Sequence, residues 1–277
     1  MKESIIAAGI QIFCNAPKQE MLKKAEAYMD KITAICPKVD LFVLPEEFYQ
    51  LRYYAFKGEE FGEEPHGAYE AFLSRCAKKY HANIVGGSYA VKENGKIKNR
   101  CLVVNREGTV VGQYDKIHLC DAFGVKESDR VIPGNQLGLF TLDIGKVGVW
   151  ICYDTRFPEI ARNLAYQGAD ILCVPTAFYR PNFDQWELLV KTAAVSNVLP
   201  VIAVNQYGTL PNGNGFVGRS MLVDQRGLIL AGTSDREDYF VGKIDLNYTK
   251  DCRKINPEMQ NRRMDLYQEW YQNRRTV

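Results

Sequence analysis

Apolar runs of strand length recur along the chain with helix-like stretches between several of them, and this interleaving narrows the possible folds more than any other feature. The runs cover 5–13, 41–44, 83–87, 101–105, 147–151, 171–174, 198–204, 220–223 and 240–244. The clearest helix is expected over 17–36, where Leu22, Ala25, Met29, Ile32 and Cys36 mark one face. Asn15 is its expected N-cap, and Pro17 sits in the first turn without losing a needed hydrogen bond. Further helices are expected over 69–80, 158–167, 186–197 and 258–271. The alternation reads as an α/β protein with a buried sheet covered by helices.

No Ser/Gly/Pro-rich linker and no fixed-period repeat divides the 277 residues, so one domain over 1–277 is expected, although about 150 residues per domain is usual. The connections 51–67 and 118–138 are long, polar and partly aromatic, the type of loop that carries function. Thirty-five Lys and Arg balance 33 Asp and Glu in interspersed order, which gives no electrostatic case for nucleic-acid binding. The opening apolar run is broken by Gln11, too early for a signal peptide or a membrane span, so a cytoplasmic protein is expected. A chain with this much apolar material needs no disulfide scaffold, and its eight cysteines, without Cys-x-x-Cys spacing, read as reduced thiols. Three dispersed histidines, His66, His81 and His118, offer no zinc pattern.

Polar residues that close apolar runs matter most, because α/β proteins gather function beyond the carboxyl ends of their strands. Pro45 stops one run just before Glu46 and Glu47, which are either a solvated turn or the source of a general base. Another run delivers Cys152 to its end just before a helix opened by Phe157-Pro158-Glu159. That thiol is either one more buried cysteine or a nucleophile helped by unpaired N–H groups at the helix start. A nucleophilic cysteine needs a base, and with so few histidines a carboxylate such as Glu46 is a serious candidate. Lys116 is by default solvated; buried beside a carboxylate it becomes a fixed cation able to stabilise an oxyanion.

Pro45-Glu46, Tyr114-Asp-Lys-Ile-His-Leu119 and Val149-Trp-Ile-Cys-Tyr-Asp-Thr-Arg-Phe-Pro-Glu159 resemble, in order and spacing, the three catalytic regions of the nitrilase superfamily of carbon–nitrogen hydrolases. The stretches 169–178 and 215–220, with Asn205, Asp224 and Gly227, extend the resemblance over essentially the whole chain. It implies a four-layer α-β-β-α sandwich of two mixed sheets with helices outside. It further implies Glu46 as general base, Lys116 as the amine that holds the tetrahedral intermediate and Cys152 as nucleophile. The backbone N–H of Tyr153 would be the second oxyanion donor, and Glu127 would orient the lysine. No metal or organic cofactor is implied. A homodimer or higher homo-oligomer is expected, with the helical segment 256–272 possible interface material or an ordinary surface helix.

The branch resembled is that of the omega-amidases, which release ammonia from short monoamides through a cysteine thioester. An N-carbamoyl amidohydrolase, a nitrilase and a non-enzymatic interaction protein are the alternatives. Aromatic candidates for the substrate pocket are Tyr49, Tyr53, Tyr54, Phe123, Phe178 and Tyr179, and a substrate carboxylate would want Arg52, Lys126 or Arg180. Departures from the family pattern are Gln185 before Trp186, Ala193 and Ser196, expected to be structural or interfacial, and Cys120 is a second thiol near the expected site.

Overall fold

Fifteen strands and six α-helices form within residues 2–51 and 59–273, the part of the chain that this computed structural model describes. In chain order the strands are β1 (Ser4–Gln11), β2 (Leu41–Val43), β3 (Asn83–Val85), β4 (Tyr89–Glu93), β5 (Lys96–Val104), β6 (Val110–Asp115), β7 (Gly138–Leu142), β8 (Gly145–Val149), β9 (Ile171–Thr176), β10 (Val201–Asn205), β11 (Tyr207–Thr209), β12 (Gly215–Val217), β13 (Met221–Val223), β14 (Ile229–Gly232) and β15 (Asp238–Asp245). The helices are α1 (Lys18–Ile35), α2 (Ala68–Tyr80), α3 (Pro158–Tyr166), α4 (Phe183–Asn197), α5 (Leu246–Ile255) and α6 (Met264–Gln272).

The first sheet runs β15-β1-β2-β3-β5-β4, with β6 also paired to β5; the second runs β14-β13-β10-β9-β8-β7. Strands β1, β2 and β3 are mutually parallel, as are β8, β9 and β10, so loops after these strands emerge at common edges. Period-two alternation divides the side chains of the first sheet. Ala7, Leu41, Val43, Val85, Cys101 and Val103 pack with Val147, Val149 and other residues of the second sheet, whose far side is covered by α3 and α4. Ala8, Ile10, Phe42 and Ile84 pack under Met21, Leu22, Ala25, Met29 and Ile32 of α1 and Phe72, Leu73 and Cys76 of α2. The order is therefore helices, sheet, sheet, helices, the four-layer sandwich expected from the sequence. Gly148 in β8 leaves its outer face bare; a Cβ there would stand 3.2 Å from the Leu164 side chain, so α3 packs directly on the strand that leads to Cys152.

Several local readings differ. No side chain caps α1: Pro17 holds the cap position, and the Asn15 Oδ1 accepts from Lys24 instead. The expected C-terminal helix is shorter and later, as α6, and α5 precedes it. Among the described residues no helix is long and apolar enough to cross a membrane.

Candidate active site

The β5–β6 ladder sets the register of the site. Cys101 faces Tyr114, and the Lys116 N–H continues the ladder by donating to the Asn99 carbonyl at 2.9 Å. With alternation, Asn99, Cys101 and Val103 share the inner face with Tyr114 and Lys116, so the lysine is driven between the two sheets. Glu46 arrives from the turn after β2, Glu127 from a 3₁₀ turn over Glu127–Asp129, and Cys152 opens the 3₁₀ turn Cys152–Arg156 just beyond β8.

These residues meet out of water. The Lys116 Nζ donates to Glu46 Oε1 and to Glu127 Oε2, each at 2.9 Å, and all three side chains are at most 1% exposed. Buried charges persist only when paired and hydrogen-bonded, and this cluster meets that condition. Glu46 Oε2 accepts from the Ala177 N–H at 2.9 Å, Glu127 Oε2 from the Cys120 N–H at 2.8 Å, and the Gln206 Nε2 holds the Glu46 carbonyl at 2.7 Å. One residue that the sequence reading missed joins the carboxylates: the Asn99 Nδ2 donates to Glu46 Oε1 at 2.9 Å and to Glu127 Oε1 at 3.2 Å.

Cys152 is buried in the left-handed region at φ +48°, a conformation disfavoured for a side chain with a Cβ. Burial pushes its thiol well above the ordinary value of 9.0; the Glu46 charge adds to the rise, and Lys116 opposes it. The helix-start stabilisation of a thiolate expected from the sequence is thus outweighed by desolvation. The Cys152 thiol lines the same cavity as Glu46 and Lys116, with the Glu46 carboxylate near enough to act on its proton electrostatically.

Glu46, Lys116, Cys120, Cys152 and Tyr153 line a small cavity together with Phe123, Phe178, Tyr179 and Phe216. Of the expected aromatic residues, Phe123, Phe178 and Tyr179 reach it. Tyr49 does not: it is buried in the core beneath α1 and α2, with its hydroxyl on Glu63 Oε2 at 2.8 Å. Tyr53, Tyr54 and Arg52 lie outside the described residues. Glu47 also lines the cavity, because its backbone turns left-handed at φ +52° instead of continuing the extended tip.

The expected cations point elsewhere. Lys126 is paired with Asp129 at the surface, and Arg180 donates from Nε to the Phe216 carbonyl and stacks over Tyr207. Arg156 lines the cavity instead, its guanidinium carbon 5.0 Å from the Phe123 ring centre and 5.1 Å from that of Phe178. Its Nη2 donates to Gln185 Oε1 at 2.9 Å, and its Nε is buried without a hydrogen-bond partner among the described residues. Its place four residues after Cys152, at the end of the same 3₁₀ segment, was the available signal. Gln185, a departure from the family pattern, is thus a contact of this cation. Among the described residues no cluster of three His, Cys, Asp or Glu could hold a metal ion.

The carbon–nitrogen hydrolase family model matches residues 6–254. Similar proteins include the 2-oxoglutaramate amidase of Bacillus subtilis (strain 168), 32% identical over 96% of this chain and all of that protein. The Omega-amidase NIT2 of Danio rerio is 32% identical over 94% of this chain and 95% of its own. Among solved structures, Saccharomyces cerevisiae Nit3, a member of branch 10 of the nitrilase superfamily, superposes with a TM-score of 0.85 at 28% identity, covering 93% of this chain and 96% of that one.

Proposed function

We propose that this chain, which belongs to the carbon–nitrogen hydrolase family, hydrolyses the terminal amide of a short carboxylate-bearing monoamide through a thioester on Cys152, in the manner its relatives' omega-amidase names describe. The observation that carries the reading is that the Cys152 thiol lines the same small cavity as Glu46 and Lys116 of the buried Glu46–Lys116–Glu127 cluster. Glu46 takes the thiol proton as sulfur attacks the amide carbon, so no free thiolate is needed beforehand. Charge developing on the amide oxygen is met by the Lys116 ammonium and the Tyr153 N–H. Glu46 then returns the proton to the departing nitrogen, ammonia leaves, and a water deprotonated by Glu46 resolves the thioester to acid and free thiol. Glu127 holds the second face of the ammonium throughout.

Arg156 supports the distal carboxylate: a cation among aromatic walls, with a buried Nε–H to spare, suits an anion at the far end of a short acyl chain. The deciding assay supplies succinamate, glutaramate, 2-oxoglutaramate, uncharged aliphatic amides, N-carbamoyl amino acids and nitriles, with ammonia and carbon dioxide measured together. Ammonia alone, fastest from the carboxylate-bearing amides, is expected. Arg156→Gln should raise KM for those substrates by about 10-fold or more while leaving uncharged amides nearly unchanged. Release of both gases from carbamoyl compounds at higher rates overturns the substrate assignment.

The reading extends to a single domain over 1–277 acting in the cytoplasm as a homodimer or higher homo-oligomer, whose interface includes the α6 segment. Trp270 and Tyr271 are 60% and 54% exposed there, more aromatic surface than a solvated helix needs. A monomer in sedimentation at micromolar concentration overturns the assembly.

A further inference from the structure

Asp154 is wholly buried yet takes no part in the chemistry above. Its carboxylate accepts four hydrogen bonds. Oδ2 takes the Tyr114 hydroxyl at 2.7 Å and the Ile151 N–H at 3.1 Å; Oδ1 takes the His118 N–H at 2.8 Å and its Nδ1 at 2.9 Å. The His118 ring is also stacked on Phe157 at 3.6 Å and 7°. The positions of these donors are the informative part. Tyr114 and His118 stand two residues either side of Lys116, and Ile151 immediately precedes Cys152.

We propose that Asp154 is a positioning residue that clamps the backbone of the nucleophile turn to the lysine segment, so that one carboxylate fixes the place of the Cys152 thiol relative to the Lys116 ammonium. Cys152 sits in a disfavoured left-handed conformation, which persists only where the surroundings over-determine it. The Ile151 bond holds that turn from within, and the Tyr114 and His118 bonds tie it to the neighbouring strand end. Four donors demand an acceptor-only group: an asparagine would offer one accepting oxygen and turn N–H groups towards donors.

The inference rests on Cys152 as nucleophile, and the test separates the two. Asp154→Asn should lower kcat by about 100-fold or more with KM changed less than about threefold, because alignment and not binding is lost. Tyr114→Phe removes one bond of the four and should lower kcat by about 5- to 10-fold, and in the double variant the two losses should fall short of additive. Alkylation of Cys152 by iodoacetamide, followed by mass spectrometry, should slow in both variants. If Asp154→Asn does not fold, Tyr114→Phe carries the test alone. Wild-type kcat and alkylation rate in Tyr114→Phe, or a loss confined to KM or to the melting temperature, overturns the clamp. Full turnover by Cys152→Ala overturns the nucleophile reading instead.

Discussion

Glu46 and Glu47 are neighbours in sequence, and the left-handed turn at Glu47 brings both to the cavity. Glu46 is bonded to Lys116 and lines the cavity beside the Cys152 thiol. Glu46→Gln keeps the size of the side chain and removes the proton acceptor, so kcat should fall by about 100-fold or more. An extended tip would have pointed Glu47 away and made its loss mild; from the cavity wall, Glu47→Gln should act on KM more than on kcat. Steady-state kinetics of the two variants check this, and a larger kcat loss at Glu47 would move the base there. Cys120 shares the cavity, but its part in the charge cluster is its backbone N–H on Glu127, which Cys120→Ala retains. That variant should keep most of its activity.

At the scale of elements, the apolar strands and the helices that cover them were legible because burial on both faces writes long apolar runs. What escaped was polar or short. Strand β5 was expected from residue 101, yet it begins at Lys96, and that polar half carries Asn99, the link between the two glutamates. Asn94-Gly95, with both residues at positive φ, is the tight turn that joins β4 to β5, and it was the available signal. Helix α5 buries little beyond Leu246 and Thr249, so periodicity barely marks it. Its visible sign is Asp245, whose side chain caps the N–H groups of Asn247 and Tyr248. Glu46, Lys116 and Cys152 stood out as strand-tip residues, while their union depends on register between distant strands, which local pattern does not encode. Arg156 escaped because a cation in a short turn looks solvated until the aromatic walls around it are seen.

Across the whole molecule, buried thiols should lower stability at alkaline pH. Cys14 and Cys76 are pushed up to about 12 by burial, and Cys101 and Cys173 are raised by the same cause. Unfolded thiols release protons near about 8.5, so above that pH the unfolded chain binds fewer protons than the folded one and stability falls. The contribution is intact below about pH 8.5 and is lost progressively as pH rises above it. Urea midpoints should drop steadily between about pH 8.5 and 10.5; a flat profile would mean that these thiols are not sequestered. The central claim, a thioester on Cys152, is tested most directly by rapid quenching of the intact protein during turnover of a carboxylate-bearing monoamide, then mass analysis and peptide mapping. The account predicts an adduct equal to the substrate less ammonia, on Cys152 alone and absent from Cys152→Ala; an adduct on Cys120, or full turnover by Cys152→Ala, would contradict it.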